Sequence, residues 1–348
     1  MKAPTVTVLI DAYNYGRFIE EAVESVLGQD FPAEEMEILV VDDGSTDDTA
    51  ERVKKYSERV QYFRKANGGQ ASAFNFGFGK ARGEIVALLD ADDYWLPGKL
   101  RRVVEEFQKS SGLGMVYHQY ALLDDATKSL KKVDFKVVSG SFTAAGDELF
   151  WYDPHPTSCT SYRRKFLERL PPVPEELRIL ADVWIGLLIP FVAPIQAVPE
   201  CLMAYRIHGK NLYYGEETEL ASESRRKRIA MAQIVLEGME PWLREHGFSQ
   251  RRDVRAFLDR LVLYEEKERF ILEPPGRVRY FRHQMFYDRC YGKHLTWRLR
   301  MINFVTAVAT VAAGYERRDR VREWVEGAAR KIGRSLGWTK GNSPSTSS

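Results

Sequence analysis

Cysteine is scarce in this chain. The three present, Cys159, Cys201 and Cys290, are far apart and odd in number. They offer neither a disulfide framework nor a Cys-x-x-Cys metal site, which points to a reducing compartment. Long apolar runs are also lacking. The longest, Met301 to Ala313, falls short of the roughly 20 residues that span a bilayer. Charge of one sign is not in excess either: 51 Lys and Arg stand against 49 Asp and Glu, a net charge of +2 over 348 residues. A generic nucleic-acid binder needs a large basic surplus and is excluded. The opening MKAPTVTVLIDAYN has no basic stretch leading into an apolar run and a small-residue cleavage site. A strand is expected there instead of a signal peptide, and the cytoplasm is the expected location.

What is present is an alternation of strand and helix signals over the first 120 residues. Thr5–Asp11, Glu37–Val41, Val60–Phe63 and Ile85–Leu89 are apolar or β-branched runs. Between the first two, Arg17–Leu27 repeats apolar residues at helical spacing and Gly28 suits its C-terminal cap. Ser45 with Asp48 reads as a cap for a helix through about Tyr56, and Gly69–Ala81 as a further helix. Buried strands alternating with helices predict an α/β fold with a mostly parallel sheet covered on both faces. Ligands bind such sheets at the carboxyl ends of the strands. Three strands here end in carboxylates: Asp11, Asp42-Asp43, and Asp90 to Asp93.

Strand candidates continue at Met115–Tyr120 and Ile195–Val198. Beyond about Gly215 the pattern becomes helical and highly charged, and the last residues, GNSPSTSS, read as a disordered tail. The organisation expected is a catalytic domain over 1–215, a helical region over 216–335 and a tail over 336–348.

Two carboxylates at Asp90 and Asp92 can approach one hard cation such as Mg²⁺ or Mn²⁺, which a diphosphate would complete. Taken alone, the same turn also reads as a solvated acidic cap. A dinucleotide-binding dehydrogenase is excluded, since the first strand is followed by DAYNYG and not by a Gly-x-Gly-x-x-Gly turn.

The segments VTVLIDAYNYGRFIEEAVESVLGQ, EILVVDDGSTDDT, NGGQASAFNFGFGKARGEIVALLDADD and YRIHGKN occur in this order over about residues 4 to 211. Together they resemble the family-2 glycosyltransferases, which have the GT-A fold. The resemblance implies a metal-dependent inverting transfer of sugar from a nucleotide-diphospho-sugar, most often a UDP-sugar, to a glycan or lipid-linked acceptor. It implies that Tyr13 stacks on the base and that Asp43 accepts a hydrogen bond from it. Asp11 stands where relatives have a small, hydroxyl or proline residue, and its carboxylate is an acceptor for ribose or base. Gly69 and Gln70 open the helix facing the donor, where a helix N-terminus favours an anion. Relatives carry Ala-Arg-Asn in that helix; Ala73-Phe74-Asn75 lacks the arginine. Asp90 is implied to touch ribose or sugar and help hold the metal, Asp92 to be the direct ligand, and His208 to complete the shell. Arg206 and Lys210 are implied diphosphate contacts.

Inverting transfer needs a base opposite the leaving group. In LRILADVWIGLLI the single carboxylate is Asp182, which the resemblance makes that base; a helix-capping Asp is the alternative. The Glu that relatives place before it is Ala181 here. That departure and the missing arginine are what a non-catalytic sugar-nucleotide or glycan-binding module with a decayed site would show. In the C-terminal third, residues 277–300 carry seven Lys or Arg against Asp288 and lead into MINFVTAVATVAA. Region 277–313 therefore reads either as a peripheral contact with the inner membrane face or as a core helix packing on the catalytic domain with its charges facing water.

Overall fold

A computed structural model describes residues 3–133, 137–143, 149, 152–208, 211, 219–291 and 297–335. The chain runs β1 (Val6–Ala12), α1 (Gly16–Leu27), β2 (Met36–Asp42), α2 (Thr49–Lys54), β3 (Val60–Arg64), α3 (Gln70–Lys80) and β4 (Ile85–Asp90). The strands β1, β2 and β4 are near-continuous apolar runs because helices cover both their faces. Helix α1 buries Ile19, Ala22, Val23 and Val26 in the core with this sheet, and Phe18 of the same predicted stripe is buried beside His208.

Then follow β5 (Tyr94–Trp95), α4 (Lys99–Lys109), β6 (Met115–Asp124), β7 (Leu130–Lys132), β8 (Thr160–Arg163), α5 (Arg164–Leu167), α6 (Ala181–Leu188) and β9 (Ile195–Ile207). The strand order is β3-β2-β1-β4-β8-β6-β9-β5, with β7 paired to β6. The first four strands are parallel. Beyond β4 the sheet is mixed: β8 is antiparallel to both β4 and β6, while β6 and β9 are parallel.

Register decides where chemistry gathers. Asp11 lies opposite Asp90 across β1 and β4, and Ala12 opposite Asp42 across β1 and β2. Strand β9 is longer than Ile195–Val198, because it pairs with β6 on one side and with β5 on the other. That pairing carries Arg206 and His208 back to the turn after β4. One cap differs from expectation. Ser45 accepts the Asn14 N–H and Asp48 pairs with Arg52, whereas Asp47 satisfies the Thr49 N–H that opens α2. Asp47 lies nearer the free amide, so it and not Ser45 does the capping.

Two compact units divide the chain, Met1–Phe257 and Leu258–Ser348. The first thus continues past residue 215 and includes α7 (Glu219–Glu245). Its Gly238 lies against Trp184 of α6, where a Cβ would come within 2.9 Å of the ring. Helix α8 (Arg252–Leu272) begins in the first unit and ends in the second. The second unit holds α9 (Arg277–Tyr291), α10 (Trp297–Ala313) and α11 (Arg318–Ser335), with Phe270, Tyr280, His283 and Tyr315 packed together. The expected tail over 336–348 lies outside the described residues.

Candidate active site

The carboxyl ends of β1 and β4 bring four acids together. One carboxylate oxygen from each of Asp90, Asp92 and Asp93 lies within 4.8 Å of the others. Asp11 joins them through a hydrogen bond to Asp90. Burial raises the Asp11 carboxyl to about 7, helped by the charges of Asp92 and Asp182. Burial and the Asp11 charge push Asp90 well up, and burial and Asp92 do the same for Asp93. Among the described residues, Asp11 Oδ1 is buried with no hydrogen-bond partner. Crowded acids with an unsatisfied buried oxygen are a donor set short of a positive charge. Hard oxygen ligands of this kind fit Mg²⁺ or Mn²⁺.

The cluster is held from behind. Ser158 Oγ accepts the Asp90 N–H at 3.0 Å and donates to Asp93 Oδ2 at 2.7 Å. The Ser158 carbonyl in turn accepts from Trp95 Nε1 and Lys99 Nζ. Asp93 Oδ1 takes the Arg206 N–H. With both oxygens engaged, Asp93 supports the turn, while Asp90 Oδ1 takes the Gln70 amide. His208 Nε2 sits 3.0 Å from Asp92 Oδ2, and the His208 ring stacks on Phe18 at 5.0 Å. Tyr15 also bonds to Asp92.

Asp182 lies in the first turn of α6 and is buried. Thr157 Oγ1 donates to its Oδ2 at 3.1 Å and the Val183 N–H to its Oδ1 at 3.0 Å. Burial raises its carboxyl to about 6. Leu180, which precedes the helix, sits at φ 59°, a left-handed conformation that costs a bulky residue energy and is concentrated at functional sites.

Gln70 joins the acids to the Asp182 turn. Its amide donates to Asp90 Oδ1 and to Thr157 Oγ1, and its oxygen accepts the Ala181 N–H at 3.0 Å. The rest of α3 grips the loop leading to α6: the Gln70 and Ala71 N–H groups donate to the Arg178 and Leu177 carbonyls, and Asn75 clamps Val173 from both sides. The anion site expected at the α3 N-terminus is therefore already occupied by backbone. Phe74 is buried in place of the missing arginine.

Two other predicted residues already have partners within the protein. Asp43 is 4% exposed and accepts from the Gly68 and Gly69 N–H groups and from Lys65. Its oxygens shape that loop. Arg206 is 1% exposed, with its guanidinium on the Asp92 carbonyl, Asp125 and Glu21. It anchors the turn after β4 and has no surface to offer a diphosphate. Lys210 lies outside the described residues. Tyr13 is 46% exposed at the end of β1, beside the Asn14 turn that bonds Thr46 and Ser45, and its ring is available to a flat ligand. Sequence reasoning passed over Ser158 and Gln70 as braces. The hydroxyl pair Thr157-Ser158 next to Pro156 was the available signal.

Comparison with known proteins agrees with this geometry. The profile of glycosyl transferase family 2 matches residues 7–171. An uncharacterised glycosyltransferase of Nostoc sp. is 36% identical over 258 residues, covering 72% of this chain and 79% of that protein. The chain belongs to glycosyl transferase family 2. The hyaluronan synthase of Pasteurella multocida is 37% identical over 119 residues, which cover 33% of this chain and only 12% of the synthase. Among solved structures, residues 1–349 of Staphylococcus aureus TarS in complex with UDP-GlcNAc share the fold. The TM-score is 0.54 at 19% identity, covering 89% of this chain and 92% of that one. The mannosyltransferase PcManGT of Pyrobaculum calidifontis, in complex with GDP-Man and Mn²⁺, gives 0.52 at 17%, covering 97% and 89%. This glycosyltransferase thus has the GT-A architecture its motifs predict, with a helical C-terminal region. Among the described residues no helix is long and apolar enough to cross a membrane.

Proposed function

We propose that this glycosyltransferase moves a sugar from a nucleotide-diphospho-sugar to a hydroxyl of a glycan or lipid-linked acceptor in one inverting displacement. Asp182 is the base. The observation that carries the reading is a buried carboxylate raised to about 6 and braced, through Thr157 and Gln70, to the acid cluster. An acid of that strength is ionised at neutral pH yet basic enough to share a proton in the transition state. Asp182 Oδ takes the acceptor proton as the acceptor oxygen bonds to the anomeric carbon and the bond to the diphosphate oxygen breaks.

Asp90 and Asp92 hold Mg²⁺ or Mn²⁺, with His208 orienting Asp92. When bound, the ion neutralises charge developing on the leaving diphosphate. Tyr13 stacks on the nucleotide base, a contact worth about 1–3 kcal/mol. Asp11 accepts from ribose or base. UDP-sugars are the first donors to try, since TarS was solved with UDP-GlcNAc, and GDP-sugars follow from PcManGT. Region 277–313 works at a membrane surface, and 1–215 with 216–335 act as catalytic and acceptor-side parts.

The test is thermal shift with UDP-, GDP- and dTDP-sugars, with and without Mn²⁺, followed by transfer assays on Asp182→Asn. The expected result is a Mn²⁺-dependent shift for one nucleotide, retained in the variant while transfer is lost. Full transfer by Asp182→Asn would refute the base assignment.

A further inference from the structure

Helix α10 is turned inside out for a globular core. Its buried side carries Thr306, Ala307 and Thr310. Its exposed side carries Trp297, Met301, Phe304, Val305 and Val308, with Trp297 63% and Met301 54% exposed. Spacings of four, three, one and three put these five on one helical face. A contiguous large apolar stripe on a surface marks an interaction site.

Charge says what covers it. Residues 277–335 hold fourteen Lys or Arg against five Asp or Glu, a surplus of nine, whereas the rest of the chain holds 37 against 44. A chain of net charge +2 has therefore concentrated its positive charge in the C-terminal segment that includes the stripe. Helix α10 itself has no acidic residue, and Arg277, Arg279, Arg282 and Arg289 of α9 are exposed. A second copy docked stripe to stripe would bring two such surpluses together, which costs energy. Nucleic acid would leave the apolar residues uncovered. A bilayer with anionic headgroups satisfies both features: the apolar face enters the headgroup boundary, the arginines meet phosphates, and an exposed Trp sits at the interface.

We infer that α10 docks flat on an anionic lipid surface through Trp297, Met301, Phe304, Val305 and Val308, held by the basic charge of α9 to α11. This sharpens the membrane part of the proposed function and is independent of the sugar chemistry. The lipid surface would deliver a lipid-linked acceptor to the enzyme.

The experiment is vesicle flotation of the full chain. Vesicles of phosphatidylcholine alone are compared with an equimolar mixture of phosphatidylcholine and phosphatidylglycerol, at low and high salt. The expected result is flotation with the anionic vesicles only, weakened by salt. A Met301→Ser/Phe304→Ser double variant, which removes two exposed apolar side chains, should weaken it about tenfold or more. Arg277→Gln/Arg279→Gln should weaken it less and flatten the salt dependence. Donor-induced thermal shift measured on the same samples reports the catalytic unit separately, so a lost shift counts against the donor reading and not against this one. No flotation with anionic vesicles, equal flotation with neutral ones, or binding untouched by the double variant overturns the proposal. Light scattering that shows a dimer dissolved by the double variant overturns it in favour of a second copy.

Discussion

Thr157 donates its hydroxyl to Asp182 at 3.1 Å, and both residues are buried. The bond opposes burial: it favours the carboxylate that desolvation disfavours, leaving the acid at about 6. A hydrogen bond to a charged group contributes about 1.5–3 kcal/mol, or roughly one to two pKa units. Thr157→Val keeps the shape and removes the donor. The expected outcome is an acid limb of kcat that moves upward from about 6 by about one unit, with donor KM little changed. Thr157→Ser should restore it. A limb that stays put in Thr157→Val would show that Asp182 is not the group being titrated.

The acid cluster predicts how stability depends on pH. Asp11 and Asp182 have folded values of about 7 and about 6, both above their ordinary 3.8 because of burial. A raised acid binds its proton more tightly when folded. The stability it contributes is complete below its unfolded value and is lost as pH rises through its folded one. Without divalent cation, Tm should therefore fall between pH 5 and pH 8. Mn²⁺ should restore more at pH 8 than at pH 5, because burial raises the Asp90 carboxyl and a proton there competes with the ion. Differential scanning fluorimetry at several pH values, with Mn²⁺ or with chelator, measures both. Equal stabilisation by Mn²⁺ at the two pH values would count against Asp90 as a ligand.

Arg206 offers a test that separates anchoring from donor contact. Its guanidinium lies 2.9 Å from Asp125, itself buried and held down to about 2 chiefly by Lys128 and partly by Arg206. Removing one partner of a buried pair leaves the other charge uncompensated and costs about 3–5 kcal/mol. Arg206→Met should lower stability in denaturant titrations, by less than that scale because Lys128 and Arg17 still face Asp125, and weaken Mn²⁺ binding, because the Asp92 carbonyl loses its guanidinium donor. A variant of normal stability with a raised donor KM would mean instead that Arg206 touches the diphosphate.

The parallel half of the fold was legible because burial on both faces makes β1, β2 and β4 nearly uninterrupted apolar runs, and such runs advertise themselves. Asp182 was legible as the one carboxylate opening an apolar helix. The length of β9 was not, since its pairing with β5 depends on a partner only two residues long. The duties of Asp43 and Arg206 were hidden for a different reason. Sequence reveals which side chains reach a site, but which already have partners is decided by neighbours distant in the chain, such as Gly68 for Asp43 and Asp125 for Arg206. Gln70 was foreseen as a donor contact; its bonds to Asp90, Thr157 and Ala181 join segments up to 111 residues apart, beyond any local pattern.

The two glycines at the ends of α3 should respond to alanine with opposite signs. Gly69 precedes the helix at φ 87°, and a Cβ there would lie 2.5 Å from the Arg178 Cα. Neither the left-handed backbone nor the adjoining chain can yield cheaply, and the strain alone costs about 1–2 kcal/mol. The displaced loop is the one that leads to Asp182, and the Gly69 N–H is one that holds Asp43. Gly69→Ala should therefore lower Tm and, in the protein that remains folded, reduce both donor binding and kcat. Gly79, near the other end, is exposed with nothing within 4 Å of its would-be Cβ. Gly79→Ala should stabilise by about 0.5–1 kcal/mol through helix propensity and leave kinetics unchanged. Calorimetry and donor titration on the pair would separate general helix stability from the specific task of Gly69. If both variants lost activity alike, α3 would matter only as a helix and its grip on the loop leading to Asp182 would not.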